Sequence, residues 1–411
     1  MRIEHVEAQT IPDTRGRLTI ETTFVSGDVR ATASVPSGKS TGKHEAVELD
    51  AAQAVENVNG EIATALAGRE FSSLDELDDS LIALDGTRDK ARLGANAILS
   101  VSIAAQRLSA LQNGVPLWEA IAKRSGLTPS APRLFVNVMN GGAHVHPAVA
   151  SAKGDGFPLP FQEYLLVVEG KTSTALAIAQ KAFGKLGEML GADTPMGDEG
   201  GYAPTFDTLE RPFELLADLV EKFPGTSIAI DAAASQLFHD GTYRLLEKAY
   251  SSEELSHVYE ELVAHFPLES IEDPFDENAH DDFARFTSAI GGKIVIVGDD
   301  LTCTNPERIR NAASHKEINA VLIKPNQIGT VREALEAVRE TYAAGFKAIA
   351  SHRSGETADT FIADFAYGIG AYGLKAGGFA QPERLLKYDR LLAIEHEARH
   401  TPSVSGEAES V

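Results

Sequence analysis

A (β/α)8 barrel is the fold class predicted for the second half of the chain, and three observations carry it. Short apolar runs end on a charged or polar residue at Asp231 (SIAID), Glu272 (PLESIE), Asp299 (KIVIVGDD), Lys324 (AVLIK), His352 (KAIASH) and Lys375 (YGLK). These ends recur about every 23 to 41 residues, close to the ~30 that a βαβ unit needs. Helical patterns follow most of them, the clearest being TVREALEAVRETYAAG over 330–345. A barrel builds its active site on the C-terminal ends of its strands, so polar residues repeating there fit that architecture.

The first third has a different texture. RLTIETTF and VRATASV alternate and carry β-branched residues, which predicts strands. Helices are expected over 46–66, 73–84 and 95–114, the last ending on Gly114. LTPSAPRL, residues 127–134, has the composition of a linker. The expected division is an α+β domain over 1–127, a barrel over 134–398 and a polar tail over 399–411.

With 411 residues, 43% of them hydrophobic and 24% charged, the chain can build a large core. A formal net charge of −23 argues against nucleic acid or an anionic membrane as partner. No apolar stretch reaches the ~18 residues of a membrane span, and the start MRIEHVEAQTIPDTRG lacks a signal-peptide core. Cys303 is the single cysteine, which fits a reducing cytoplasm and a thiol that packs rather than reacts.

Asp231, Glu272 and Asp299 leave three successive strand ends and would converge in a barrel. Their hard oxygens suit Mg2+ rather than zinc. Lys324, His352, Arg353, Ser354 and Lys375 follow on the adjoining arc and suit an anionic substrate. A lysine beside a divalent cation has its neutral form favoured, so Lys324 is the expected base. SHRSG (351–355) is expected to open a helix and seat a phosphate. GKST at 38–41 resembles the end of a P-loop, but the position of that motif's first glycine holds Ala33. PSGKSTGKHE reads instead as a mobile loop.

At motif level the chain resembles the enolase family over nearly its whole length. The blocks SVPSGKSTGKHEAVEL, LGANAILSVSIA, NVMNGGAH, GDEGGYAP, SIEDPF, GDDLTCTNPERI, KPNQIGT, SHRSGETADTFIAD and ERLLKYDRLLAIE occur in that family's order. The resemblance implies an α+β N-terminal domain followed by a modified barrel whose first units break the strict βα alternation. It implies a cytoplasmic homodimer or octamer, two Mg2+ ions per site during turnover, and a small phosphorylated substrate, 2-phosphoglycerate, dehydrated reversibly to phosphoenolpyruvate.

Position by position, the resemblance makes Asp231, Glu272 and Asp299 ligands of the first ion and Ser40 a ligand of the second. It makes Lys324 the base at C2, and Glu199, with Glu163 beside it, the acid at the C3 hydroxyl. Gln162, His352 and Lys375 become substrate contacts, Arg353 and Ser354 phosphate contacts, and His144 a lid histidine. Lys324 is then expected to lean toward neutrality and Glu199 toward protonation. Glu45 and Glu356 are expected to support loops or cap helices.

The chain departs from the family pattern in two places. The 145–161 link is longer than usual, so His146 competes with His144, and Lys39 replaces a small residue, adding a cation that either attracts the anionic substrate or, as favoured here, sits in solvent. Two other readings are a related lyase or racemase acting on an unphosphorylated carboxylate, and a non-catalytic protein that kept the fold. SHRSG and PSGKSTG count against the first, and retention of Lys324, Glu199 and the metal acids against the second.

Overall fold

A computed structural model describes residues 1–39, 42–145, 157–246 and 248–400. Ser40, His146 and the tail from 401 lie outside the described residues, as does most of the lengthened link.

Three antiparallel strands open the chain: β1 (His5–Pro12), β2 (Leu18–Ser26) and β3 (Val29–Ser34). The two-residue turn Gly27-Asp28 joins β2 to β3, and Gly27 adopts φ +58, a backbone conformation that glycine takes without steric cost. The Ala95–Gln112 helix packs against β2 and β3 and is buried along most of its length. The helix expected over 46–66 begins only at Ala51, capped by Asp50. The backbone before it is claimed elsewhere: the Ala46 N–H donates to Gln327 O at 2.8 Å and Val47 N–H to Asp89 O at 2.7 Å. This helix also widens into a π turn over Val58–Ile62. There the Asn59 side chain bonds both backbone groups of Ala8, holding the helix to β1.

Eight strands close a barrel: β4 (Arg133–Asn140), β5 (Glu163–Val168), β6 (Thr226–Asp231), β7 (Leu268–Glu272), β8 (Val295–Gly298), β9 (Ala320–Ile323), β10 (Lys347–Ser351) and β11 (Gly373–Lys375). β5 runs antiparallel to both neighbours, and every other pairing is parallel. This is the expected break in alternation. The helix read over 330–345 forms over Val331–Ala343, with Thr330 accepting from the Glu333 N–H at 3.1 Å as its cap.

Period two along each strand decides what faces the lumen. Phe135, Leu165, Val167, Ala229, Val295, Val297, Ala320, Leu322 and Ile349 fill it as one apolar cluster. One further step of two toward the open rim reaches Asn137, Glu163, Asp231, Asp299, Lys324 and Ser351. Because β5 is reversed, it offers that rim its first residue, Glu163, paired with Asp231 on one side and Asn140 on the other. The sequence places polar residues where the apolar filling stops.

The barrel and the N-terminal elements are riveted by Asp359, whose oxygens accept from Arg107 at 2.5 and 2.7 Å, Ser34 N–H at 2.9 Å and Phe361 N–H at 2.7 Å. Burial opposes ionisation of Asp359, but the Arg107 guanidinium and these bonds hold its carboxyl below the usual range. A depressed folded pKa contributes stability above the unfolded value of about 3.9, lost as pH falls through the folded one. Asp359→Asn is expected to cost about 3–5 kcal/mol at pH 7, since it strands Arg107. In denaturant melts the gap to the parent protein should narrow below about pH 4.

Candidate active site

Every described residue of the predicted site lies at the open rim of the barrel. His144, Gln162, Glu163, Glu199, Asp231, Asp299, Lys324, His352, Arg353, Ser354 and Lys375 line one polar cavity of about 30 Å³. That is room for one or two waters or an ion. Glu272 reaches the same point through Lys375.

Lys375 is the hub. Its Nζ sits 3.1 Å from Glu163 Oε1, 3.2 Å from Asp231 Oδ2 and 2.9 Å from Glu272 Oε2, all buried. Burial would lower the pKa of Lys375, but these carboxylates drive it well above the ordinary lysine value. Glu272 is pushed well up by burial and then by Asp231. Carboxylates crowded out of water need cationic charge, and hard oxygens from adjacent strand ends fit a divalent metal. Asp231 and Glu272 meet on Lys375, and Asp299, which also raises Glu272, pairs with Lys324. Asp299 also makes a second acid group with Asp273 and Asp300 whose oxygens lie within 4.8 Å of one another. A divalent ion therefore has acidic residues to hold it on this rim.

Lys324 donates to Asp299 Oδ2, and Gln327 Nε2 donates to Asp299 Oδ1 at 2.9 Å. Burial would lower Lys324, yet Asp299 outweighs it and holds the ammonium protonated. The expected lean toward neutrality is therefore corrected for this form of the site: the nearest charge is a carboxylate, not a cation.

The acid pair also differs from expectation. Glu199 Oε2 accepts from Asn137 Nδ2 at 2.9 Å and lies 3.4 Å from His144 Nδ1 and 3.7 Å from His352 Nε2. Burial would raise Glu199, but His144, His352 and the Arg384 guanidinium together hold it well below the usual carboxylate range. Glu163 takes the opposite course, raised by burial and by the Glu199 and Asp231 charges. Burial and the neighbouring carboxylates thus push Glu163 up although Lys375 and His144 also lie against it, while nitrogens from Asn137, His144 and His352 gather on Glu199.

His144, Glu163 and Glu199 form a tight trio, so His144 stands at the acid pair. Gln162 Oε1 accepts from Gln236 at 2.9 Å.

The SHRSG turn does not open a helix. The next helix starts at Phe361, after a loop in which Gly355 exchanges two 2.9 Å backbone bonds with Ser37. Arg353 Nη1 meets Glu45 Oε2 at 2.8 Å, and the Arg353 N–H donates to Glu356 at 3.0 Å. Glu45 and Glu356 thus hold the turn, as loop supports. Ser354 Oγ accepts from Arg15 Nη1 at 3.1 Å.

Lys39 is exposed as expected, and its Nζ also pairs at 2.5 Å with Oδ2 of Asp198, the residue before Glu199. Cys303 is fully buried, its Sγ 2.8 Å from where a Cβ on Gly42 would stand, so the loop beyond Thr41 must pass it as glycine.

Sequence reasoning missed Asn137, Gln327, Asp273 and Arg384. Asp273 accepts from the Asp299 and Asp300 N–H groups at 2.9 and 2.8 Å and aims that loop. Period-two counting from Phe135 was the signal for Asn137.

Removing the hub should expose the crowding. Lys375→Met is expected to destabilise metal-free protein by about 3–5 kcal/mol, because Glu163, Asp231 and Glu272 lose their shared cation. Added Mg2+ should restore much of the loss in thermal melts; an equal loss at all Mg2+ concentrations would contradict an ion among these acids.

Comparison with known proteins agrees with this architecture. The family model "Enolase, N-terminal domain" matches residues 3–121, and "Enolase, C-terminal TIM barrel domain" matches 129–410. Enolase B of Dictyostelium discoideum is 39% identical over 431 aligned positions, covering 97% of this chain and 95% of the relative. An enolase of Methanopyrus kandleri is 40% identical over 424 positions, covering 96% of each. Two domain models that together span nearly the whole chain, over a barrel with its second strand reversed, make this protein a member of the enolase family.

Proposed function

We propose that the chain catalyses the reversible dehydration of 2-phosphoglycerate to phosphoenolpyruvate, with Mg2+. The observation that carries the reading is the rim itself, where buried carboxylates and two lysines face an acid pair across one cavity.

Asp231, Glu272 and Asp299 are the proposed ligands of one Mg2+, and Ser40 of a second. Bound there, the ions would stabilise the negative charge that gathers on the substrate carboxylate when C2 is deprotonated. Lys375, on the same arc, adds a fixed cation facing those oxygens. Lys324 would first give up the proton that Asp299 holds on it, as Asp299 turns to an ion, and as the free amine would then take the C2 proton at Nζ. On the opposite side Glu163 and Glu199 share one proton, and the C3 hydroxyl leaves as water with it. His144 lies against both members of the pair and keeps Glu199 the ionised one. Gln162 and His352 contact the substrate, while Arg353 and Ser354 hold its phosphate.

Residues 1–127 and 134–398 are the proposed domains, followed by a polar tail. The family's usual homodimer or octamer and a cytoplasmic setting, which the single buried Cys303 suits, complete the reading. Among the described residues no helix is long and apolar enough to cross a membrane.

Purified protein is expected to form phosphoenolpyruvate from 2-phosphoglycerate, to stop on chelation and to recover with Mg2+; activity that survives thorough chelation would refute the metal. Lys324→Ala should slow exchange of the C2 proton with solvent deuterium by about 10²–10⁴-fold while substrate still binds. Unchanged exchange would put the base elsewhere.

A further inference from the structure

Among the described residues Arg384 is the largest side chain buried out of all contact with solvent, and the reaction assigns it nothing. It rises from the Pro382–His400 helix. A buried guanidinium is normally matched by a carboxylate, as its neighbour Lys387 is by Glu356 at 2.8 Å. Among the described residues no carboxylate lies within ion-pair distance of Arg384.

Its donors go instead to two loops of the site. Nη2 donates to Ser354 O at 3.1 Å and Asp198 O at 3.2 Å, and Nη1 and Nη2 both reach Arg353 O at 3.5 Å. Nε donates to Gln381 Oε1 at 2.5 Å, and Gln381 Nε2 returns to Asp198 O at 3.1 Å. Nη1 also meets His352 Nδ1. The backbone makes room for this: a Cβ on Gly377, where φ is +89, would stand 2.4 Å from Arg384 Cδ.

An arginine only donates, so His352 Nδ1 can only accept. The ring is then neutral, with its proton on Nε2, the atom 3.7 Å from Glu199. Burial, which pushes His352 well below the ordinary histidine value, agrees. We propose that Arg384 is a positioning residue: it fixes the Nε2–H tautomer of His352 and clamps the residue before Glu199 to the Arg353–Ser354 turn. The proposal rests on the reaction above only for its kinetic consequence.

The test is histidine 15N NMR on the full chain, with His352 assigned from its loss in His352→Gln. In the parent protein His352 should show the Nε2–H tautomer unchanged from pH 6 to 8; an Nδ1–H or doubly protonated ring overturns the proposal. Arg384→Met should let His352 exchange between its two neutral tautomers, with burial still opposing the charged ring. Its kcat should fall about 100-fold, with KM changed far less. An Arg384→Met protein that melts earlier but keeps the tautomer and kcat would show a structural residue only. If that variant does not fold, the parent spectrum still decides. A chain with the Nε2–H ring but no hydratase activity would refute the reaction and leave the tautomer assignment standing.

Discussion

The interaction on which the site depends is the crowding of buried carboxylates against too few cations. Glu163, Asp231 and Glu272 share one ammonium on Lys375, and Asp299 takes another on Lys324. Such an arrangement is costly in a chain of net charge −23, since no surplus of positive field surrounds it. It persists because strands on every side fix the Cα positions and the lumen beneath is fully packed. The carboxylates cannot move apart, so what relieves them is a cation brought to them. The same frustration that makes the rim expensive makes it receptive.

Reversal of β5 is what gives the rim its asymmetry. Seven strands deliver their last residues to the open face, and the reversed one delivers its first. Glu163 therefore arrives with Gln162 just before it on the chain, beside Asp231 on one flank and the Asn140 strand on the other. Nitrogen donors from Asn137, His144 and His352 gather on Glu199, across from the lysine arc. Two carboxyl groups in the same cavity thus feel opposite surroundings. That separates their protonation without any difference in residue type.

How much of this was legible in the sequence follows from the range of the forces involved. Strand ends at Asp231, Glu272, Lys324 and Lys375 could be read because apolar-to-charged transitions are local. The helices over 73–84 and 330–345 were equally plain, since their apolar periodicity is local too. The start of the 51–57 helix was not, because tertiary bonds to Gln327 and Asp89 took the preceding backbone. Lys324 was expected near neutral and Glu199 near protonated, yet both depend on which charge lies nearest in space. The partner of exposed Lys39 was not legible because nothing in PSGKSTG announces Asp198, 159 residues away. Arg384 sat in a block read only as a family signature, although its burial without a carboxylate belongs to the fold alone.

The barrel carries the rim, yet it still needs the N-terminal elements. Asp13 accepts from Arg15 Nη2 at 2.9 Å and from Ser37 Oγ at 3.1 Å, and Arg15 in turn donates to Ser354. A Cβ on Gly355 would fall 2.2 Å from Asp13 Oδ2 and 2.3 Å from Arg15 Nη2, so the turn can dock only as glycine. On its other side the same turn rests on Arg384. The SHRSG turn is thus held between a β-hairpin loop from residue 13 and a helix from residue 382, with no helix dipole of its own. Its cationic and hydroxyl groups are aimed by packing from both ends of the chain. A barrel cut away from residues 1–39 would keep its acids and lose the support for its proposed phosphate seat.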